Sequence, residues 1–246
     1  MNTRPQAQKQ PGLFANLMFN ILLPVVILMQ LSSEERLGPV LALIIGLAFP
    51  VGYGIWDLWN RKKINGFSVL GIISVLLTGG IGLLQLDPKY IAIKEAAVPA
   101  IFGLVVWGSR YTKFPIVEKL LLNRQMLDVD ALYRKLAERG NQARFKTVMN
   151  MAGNGVTAAF ALSAVLNYVL ARAIVVSPAG TEAFNNEIGR MTALSFPVIV
   201  LPTMLVMFGA IFYLFHQINA LTGDSIETYM HDKKNAATSP SDHKDT

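Results

Sequence analysis

Six apolar runs, each close to the length of a membrane span, set the main constraint on how this chain folds. A helix needs about 20 predominantly apolar residues to cross a hydrocarbon core of about 30 Å. Charged residues make up only 15% of the 246 residues, whereas a soluble domain carries roughly 25%. The chain is therefore predicted to be an all-α, polytopic membrane helix bundle. The predicted spans are 13–31, 39–59, 67–86, 90–108, 148–171 and 191–215.

The number of spans depends on the fourth run, because Lys94 and Glu95 interrupt it and leave a five-span alternative open. The basic residues favour six spans, since lysine and arginine accumulate on the cytoplasmic side of a membrane protein. Of the 22 lysines and arginines, 17 then fall on one side, four fall on the other, and Lys94 lies within a span. This distribution predicts a membrane protein with both termini in the cytoplasm.

Polar segments flank and divide the apolar region. We predict a cytoplasmic N-terminal segment at 1–12, a six-helix transmembrane domain at 13–217 and a cytoplasmic polar tail at 218–246. The end of the tail has too few apolar residues to form a core, and we expect it to be disordered. A basic cytoplasmic loop, 109–147, joins the fourth and fifth spans.

Part of this loop has the pattern of an amphipathic helix. Asp128 is a good helix N-cap, and apolar residues follow it at helical spacing. A basic amphipathic helix beside a span is typical of an interfacial helix on anionic lipid headgroups. The alternative is a helix packed on the cytoplasmic ends of the bundle, and both arrangements can hold together. The apolar residues are Val129, Leu132, Tyr133 and Leu136.

Lys94 and Glu95 are the most informative polar residues, because ionisable groups inside spans are rare and often functional. Together with Asp87 they form a possible polar intramembrane site. Neighbouring helical positions point about 100° apart, so each of the two is expected to need a partner from another helix. Pro99 adds to the polarity, since it leaves the carbonyl of Glu95 without its helical donor. The alternative is that Lys94 snorkels to the outer interface or forms a purely structural pair.

The remaining polar residues favour structural roles. Asn20, Asn154 and Asn167 are expected to hydrogen-bond between helices. The chain has no cysteine, and its three histidines lie far apart, so we predict no metal site and no cofactor. It also lacks nucleotide-binding and hydrolase motifs, and we expect no catalytic residues and no enzyme activity. The basic residues lie between apolar runs, so the bilayer and its anionic headgroups are the expected partners, not nucleic acid.

Several short motifs follow one another along the chain in a specific order. Phe19-Asn20-Ile21-Leu22-Leu23-Pro24 lies in the first span, and Leu76-Leu77-Thr78-Gly79-Gly80 ends the third. Leu86-Asp87, Tyr90-Ile91 and Lys94 come next, and Leu166-Asn167-Tyr168 lies in the fifth span. Over roughly 14–215, this order resembles the intracellular septation protein A family (YciB-type inner-membrane proteins) and the related Vibrio-type septation proteins.

Two functions remain open from the sequence. The resemblance implies a non-catalytic role in cell-envelope maintenance and septation, through helix or lipid contacts and contacts with division or envelope-synthesis membrane proteins. The residues themselves allow a small membrane transporter or lipid-handling protein that uses the Lys94/Glu95 pair. Proline breaks in the spans favour this alternative somewhat, since broken helices often line transport pathways.

Overall fold

The computed structural model describes residues 17–61, 66–112, 115–123 and 127–230, which form helices joined by short turns. The predicted N-terminal segment at 1–12 and the tail from 231 onward lie outside the described residues. Nine α-helices follow one another in the described part of the chain. They are α1 (Leu23–Gln30), α2 (Gly38–Arg61), α3 (Gly66–Leu83), α4 (Lys89–Ser109), α5 (Ile116–Leu121), α6 (Val129–Glu138), α7 (Gln142–Ile174), α8 (Glu182–Ser195) and α9 (Leu201–Thr222).

Three short helical turns complete this set. Five-residue π-helical turns, Met18–Leu22 and Phe196–Val200, precede α1 and α9, and a 3₁₀ helix, Ile226–Tyr229, follows α9. Prolines lie close to both π-helical turns, at Pro24 and Pro197. Because proline lacks an N–H, it removes one regular helical hydrogen bond and favours such a local change of winding.

The membrane character predicted from the sequence is found in the helices. Within the described residues, four helical segments are long and apolar enough to cross a membrane. The second of them includes Lys94 and Glu95, so the interrupted fourth run is long enough to span. Two shorter apolar helices, Met18–Gln30 and Val69–Leu83, lie at the predicted first and third spans, and the count of six stays a prediction. The four segments are Gly38–Trp56, Lys89–Ser109, Gln142–Ile174 and Glu182–Thr222.

Two compact units make up the fold. The first unit comprises the described part of Met1–Pro99 together with Ser163–Pro202. In it, α1 packs against α2 and α8, and α2 packs against α3. Close approach of α8 to α1 depends on a glycine, because a Cβ at position 189 would lie 2.6 Å from Cγ of Met29. The core of this unit includes the buried side chains of Leu28, Leu43, Ile81, Ile91, Phe184, Ile188 and Met191.

The second unit comprises Ala100–Leu162 and the described part of Thr203–Thr246. It contains the predicted amphipathic helix, α6, which begins after Asp128 as expected; the Asp128 carboxylate accepts a hydrogen bond from the Ala131 N–H at 2.9 Å. The apolar face of α6 is buried inside this unit, so the packed alternative is present in the structure. Contact of its basic face with lipid headgroups stays a prediction. The core includes Leu132, Leu136, Phe145, Leu214, Ile218 and Tyr229.

The last long helix extends past the predicted end of the transmembrane domain at 217. It continues to Thr222, and Ile218 and Leu221 are buried in the second unit. Here the sequence alternates between polar and apolar residues, so hydropathy falls although one face of the helix still packs. The first part of the segment predicted as a polar tail is therefore folded against the core.

Candidate functional site

The predicted polar site begins with the turn before α4. The backbone N–H of Lys89 donates to the Asp87 carboxylate at 2.8 Å, and the Lys89 ammonium lies 3.0 Å from the same carboxylate. These two hydrogen bonds from Lys89, the backbone one first, hold the pKa of Asp87 below its ordinary range. Asp87 is half exposed and pairs with Lys89, so the structure does not bring it to Lys94 and Glu95.

Lys94 and Glu95 do form a pair, one turn further into α4. The ammonium of Lys94 donates to Oε1 of Glu95 at 2.5 Å and to Oγ of Ser74, on α3, at 3.3 Å. The Lys94 side chain is only 9% exposed, and that of Glu95 is 27% exposed. The expectation that adjacent positions pair poorly is therefore wrong here, because the flexible lysine stem curls back to its neighbour. The expected partner from another helix is present as well, in Ser74.

This arrangement differs from the snorkelling alternative. A snorkelling lysine keeps its stem on apolar surface and its ammonium in water. Here the ammonium is held inside the first unit by a carboxylate and a hydroxyl. Thr78, one turn along α3, is also buried and donates its hydroxyl to the carbonyl of Ser74 at 3.1 Å. The α3 segment beside Lys94 therefore carries two hydroxyl side chains, those of Ser74 and Thr78.

A cavity of about 170 Å³ adjoins Glu95. The cavity is large enough for several water molecules. Its walls come from α4, α7, α8 and the π-helical turn before α9, all within the first unit. Four of its seven lining side chains are polar, and one of these four, Glu95, is ionisable, which is rare in segments apolar enough to span a membrane. The lining residues are Glu95, Asn167, Leu170, Met191, Thr192, Ser195 and Ile199.

The polar side chains of this cavity donate their protons elsewhere. Thr192 donates its hydroxyl to the carbonyl of Ile188 at 2.9 Å, and Ser195 donates to the carbonyl of Met191 at 2.8 Å. The amide nitrogen of Asn167 donates to the carbonyl and to the hydroxyl of Ser163, at 2.8 and 3.3 Å. The remaining hydrogen-bonding capacity of these side chains therefore lies in their oxygen atoms, which accept hydrogen bonds.

The local winding of the chain positions two of these residues. Ser195 is the last residue of α8, and Ile199 lies in the π-helical turn Phe196–Val200 that follows. π-helical turns inside long helices are frequently found at functional sites. Pro197 and Pro202 are among the proline breaks in the predicted spans, but Thr192 and Ser195 were not predicted as site residues. The available signal is their i, i+3 spacing, which places both hydroxyls on one face of the helix beside the break.

The three asparagines predicted as helix contacts have different surroundings. Asn20 lies half-buried in the first π-helical turn. Asn154, on α7, accepts a hydrogen bond from the guanidinium of Arg110 at 2.7 Å, which connects α7 to the residue after α4 in the second unit. Asn167 instead bonds within its own helix and faces the cavity. Asn154 thus bonds to another segment of the chain, whereas these bonds of Asn167 stay within its own helix.

Asn185 is a buried polar residue that the sequence reasoning missed. Its side chain is fully buried, and its amide nitrogen donates to the carbonyl of Pro39 at 2.7 Å and to the hydroxyl of Ser32 at 3.1 Å. These bonds connect α8 to the start of α2 and to the turn after α1. Asn185 lies in a polar stretch of sequence, so nothing in the pattern indicated that it would be buried. These hydrogen bonds hold neighbouring segments of the first unit together.

Comparisons with known proteins add no relatives. No protein family, curated protein or solved structure matches this chain. Among the described residues, no three metal-ligating side chains of the histidine, cysteine, aspartate or glutamate type come together. The function is therefore inferred from the geometry around Glu95 and from the order of the sequence motifs.

Proposed function

We propose that this chain is a small membrane transporter or solute-handling protein that uses the Lys94–Glu95 pair, and that it performs no covalent chemistry. The observation that carries the proposal is the partly buried Lys94–Glu95 pair beside a polar cavity of about 170 Å³. Transferring an ammonium and a carboxylate out of water is costly even when they pair, and apolar residues of similar size are often as stable or more so. A chain that retains the pair inside a span therefore has a use for it.

The membrane placement is part of the same proposal. We place the chain in a bacterial inner membrane, with six spans and with both termini in the cytoplasm. The four long apolar segments, the two shorter apolar helices and the unequal distribution of lysine and arginine support this placement. In this arrangement Lys94 and Glu95 lie about one helical turn inside the outer face. A cavity at that depth can exchange solutes with the outer side.

A role in envelope maintenance and septation is the second candidate. The order of the motifs between Phe19 and Tyr168 supports it, and the role would act through helix contacts, lipid contacts or membrane partners of the division and envelope-synthesis machinery. The two candidates differ in what they require of the polar pair. A recruitment role needs the helices to insert and pack, whereas a solute-handling role needs Lys94 and Glu95 themselves.

Complementation of a strain that lacks the gene separates the two candidates. The strain receives the wild type, Lys94→Met/Glu95→Gln, or the control Asp87→Asn/Lys89→Gln, which removes the nearby exposed ion pair. Membrane protein level, cell shape and survival under envelope stress are measured for each. We expect the double variant at the buried pair to fail to rescue at a normal protein level, whereas the control rescues.

Full rescue by Lys94→Met/Glu95→Gln would overturn the solute-handling role and leave a packing or recruitment role. The double substitution is chosen because it removes both charges together and keeps similar side-chain lengths. It therefore avoids leaving one buried charge without a partner, which is the costly case. Any loss of function then reflects the charges and not a failure to fold, provided that the protein level is unchanged.

A further inference from the structure

The lining of the cavity restricts what can bind in it. Thr192, Ser195 and Asn167 donate their protons to groups of their own helical segments. Glu95 contributes a carboxylate, one oxygen of which faces the ammonium of Lys94. A bound species must therefore supply positive charge or hydrogen-bond donors, because an anion would meet only acceptor oxygen.

We infer that the cavity binds one small monovalent cation, which competes with the ammonium of Lys94 for the carboxylate of Glu95. This inference rests on the proposed solute-handling function and adds the class of solute to it. The oxygens of Glu95, Asn167, Thr192 and Ser195 are the hard ligands that such a cation prefers. The volume of about 170 Å³ also accommodates water molecules that complete the coordination of the cation.

The charge balance of the site argues for a single positive charge. Glu95 is the acidic residue among the lining side chains. Ca²⁺ takes six to eight oxygens, with several carboxylates, and Mg²⁺ demands an octahedral set. One carboxylate with hydroxyl and amide oxygens supplies too little negative charge to bind either of these divalent ions. A monovalent ion leaves the smallest uncompensated charge inside the membrane.

In this arrangement the ammonium of Lys94 neutralises the carboxylate of Glu95 when no external cation is bound. With the ammonium on Glu95 the pair is neutral, and a bound cation adds one positive charge. Ser74 gives the ammonium an alternative partner when the cation takes over the carboxylate. Removal of Lys94 should therefore strengthen cation binding, whereas removal of the Glu95 charge should weaken it. If the pair contributes only to packing, neither substitution should change cation binding in this way.

The test is the thermal stability of the full-length chain in lipid nanodiscs, measured against the concentration of NaCl, KCl or methylammonium chloride. N-methyl-D-glucamine chloride keeps ionic strength constant. A cation that binds the folded state raises the unfolding midpoint by mass action. We expect a rise with at least one small cation. The half-maximal concentration should be at least about tenfold lower in Lys94→Met and at least about tenfold higher in Glu95→Gln.

Two further proteins keep the test decisive if a charge variant does not fold. Thr192→Val/Ser195→Ala removes two of the proposed ligand oxygens, and these hydroxyls donate hydrogen bonds only to carbonyl groups of their own helix. This variant should raise the half-maximal cation concentration about threefold to tenfold. Asp87→Asn/Lys89→Gln should match the wild type. Absence of a cation-dependent rise in the wild type, or the same rise in all variants, would overturn the inference. Failure of Lys94→Met/Glu95→Gln to rescue cells would still support solute handling in that case, with a neutral donor as the solute.

Discussion

The carboxylate of Glu187 accepts hydrogen bonds from both the backbone N–H and the hydroxyl of Ser177, at 2.9 and 2.6 Å. It also accepts the N–H of Val176 at 2.9 Å. Glu187 lies on α8, and the three donors lie in the turn that follows α7. One side chain thus holds the connection between two helices that line the cavity beside Glu95.

Glu187→Ala should lower the free energy of unfolding by about 2 kcal/mol, because three donors lose a charged acceptor. Glu187→Gln should cost about half as much, since its amide oxygen still accepts. Thermal unfolding in lipid nanodiscs and protease cleavage within 175–181 measure the two effects. The matched control is Glu182→Ala, in the exposed first turn of the same helix, which should cost no more than about 0.5 kcal/mol. Equal losses for Glu182→Ala and Glu187→Ala would contradict this account.

Gly155 permits a close contact between α7 and α9 in the second unit. A Cβ at this position would lie 2.6 Å from Cβ of Ala210 and 3.6 Å from its Cα, so a helix backbone would have to move. Gly155→Ala should therefore destabilise the chain by about 1–3 kcal/mol. At Gly209 a Cβ meets nothing within 4 Å, and Gly209→Ala should be neutral or stabilise by up to about 1 kcal/mol. Thermal unfolding of the two variants should shift in opposite directions or by clearly different amounts.

Tyr133 connects α6 to α5 by donating its hydroxyl to Glu118 at 2.9 Å. Burial, and then this hydrogen bond, raise the pKa of Tyr133 from 10.0 to about 12. A raised pKa means that the folded chain keeps a proton that the unfolded chain loses. The stabilisation is complete below pH 10 and disappears as the pH rises through about 12.

Tyr133→Phe should therefore cost about 1 kcal/mol at neutral pH and should lose less stability than the wild type between pH 10 and about 12. Chemical unfolding of both proteins across this pH range gives the difference between their free energies of unfolding. The titration of other groups cancels in this difference. A Tyr133→Phe curve parallel to that of the wild type would show that this tyrosine does not carry the effect.

Much of the fold could be predicted because it depends on local patterns. The length and composition of the apolar runs predicted the long helices, and Asp128 with its periodic apolar residues predicted α6. Packing of α6 was one of two alternatives from the sequence, but its contact with Ile218 could not be predicted, since Ile218 is distant from α6 in sequence. The end of α9 at Thr222 was also missed, because its last turns are amphipathic and not uniformly apolar.

The site could be predicted only in part for the same reason. Lys94 and Glu95 stand out in the sequence because charge is rare inside a span. Asp87 was grouped with them by proximity along the chain, although its nearest cation, Lys89, holds it at the helix end. The i, i+3 spacing of Thr192 and Ser195 is not sufficient by itself to predict a site, because hydroxyls are common in membrane helices and usually bond to their own backbone. Only the fold brings them beside Glu95.

The coupling between Lys94 and Glu95 has a thermodynamic signature. Lys94→Met alone leaves a partly buried carboxylate with no cation, and should lower stability by up to about 3 kcal/mol. Lys94→Met/Glu95→Gln should recover most of this loss, since no charge then remains. Unfolding of the wild type, both single variants and the double variant completes the double-mutant cycle. Additive losses would mean that the two side chains do not stabilise each other.

The proposed function requires that aqueous solutes reach the cavity beside Glu95, and cysteine labelling measures this access. The chain has no cysteine, so Ser195→Cys introduces the single reactive thiol, with almost no change in shape. Val165→Cys is the control, because Val165 lies at a similar depth on α7 and is 59% exposed on the apolar surface. Both are treated in native membranes with a charged, water-soluble thiol reagent. We predict rapid labelling of Ser195→Cys and no labelling of Val165→Cys. An unreactive Ser195→Cys in the folded protein would mean that aqueous solutes do not reach the cavity, and would rule out the proposed solute-handling function.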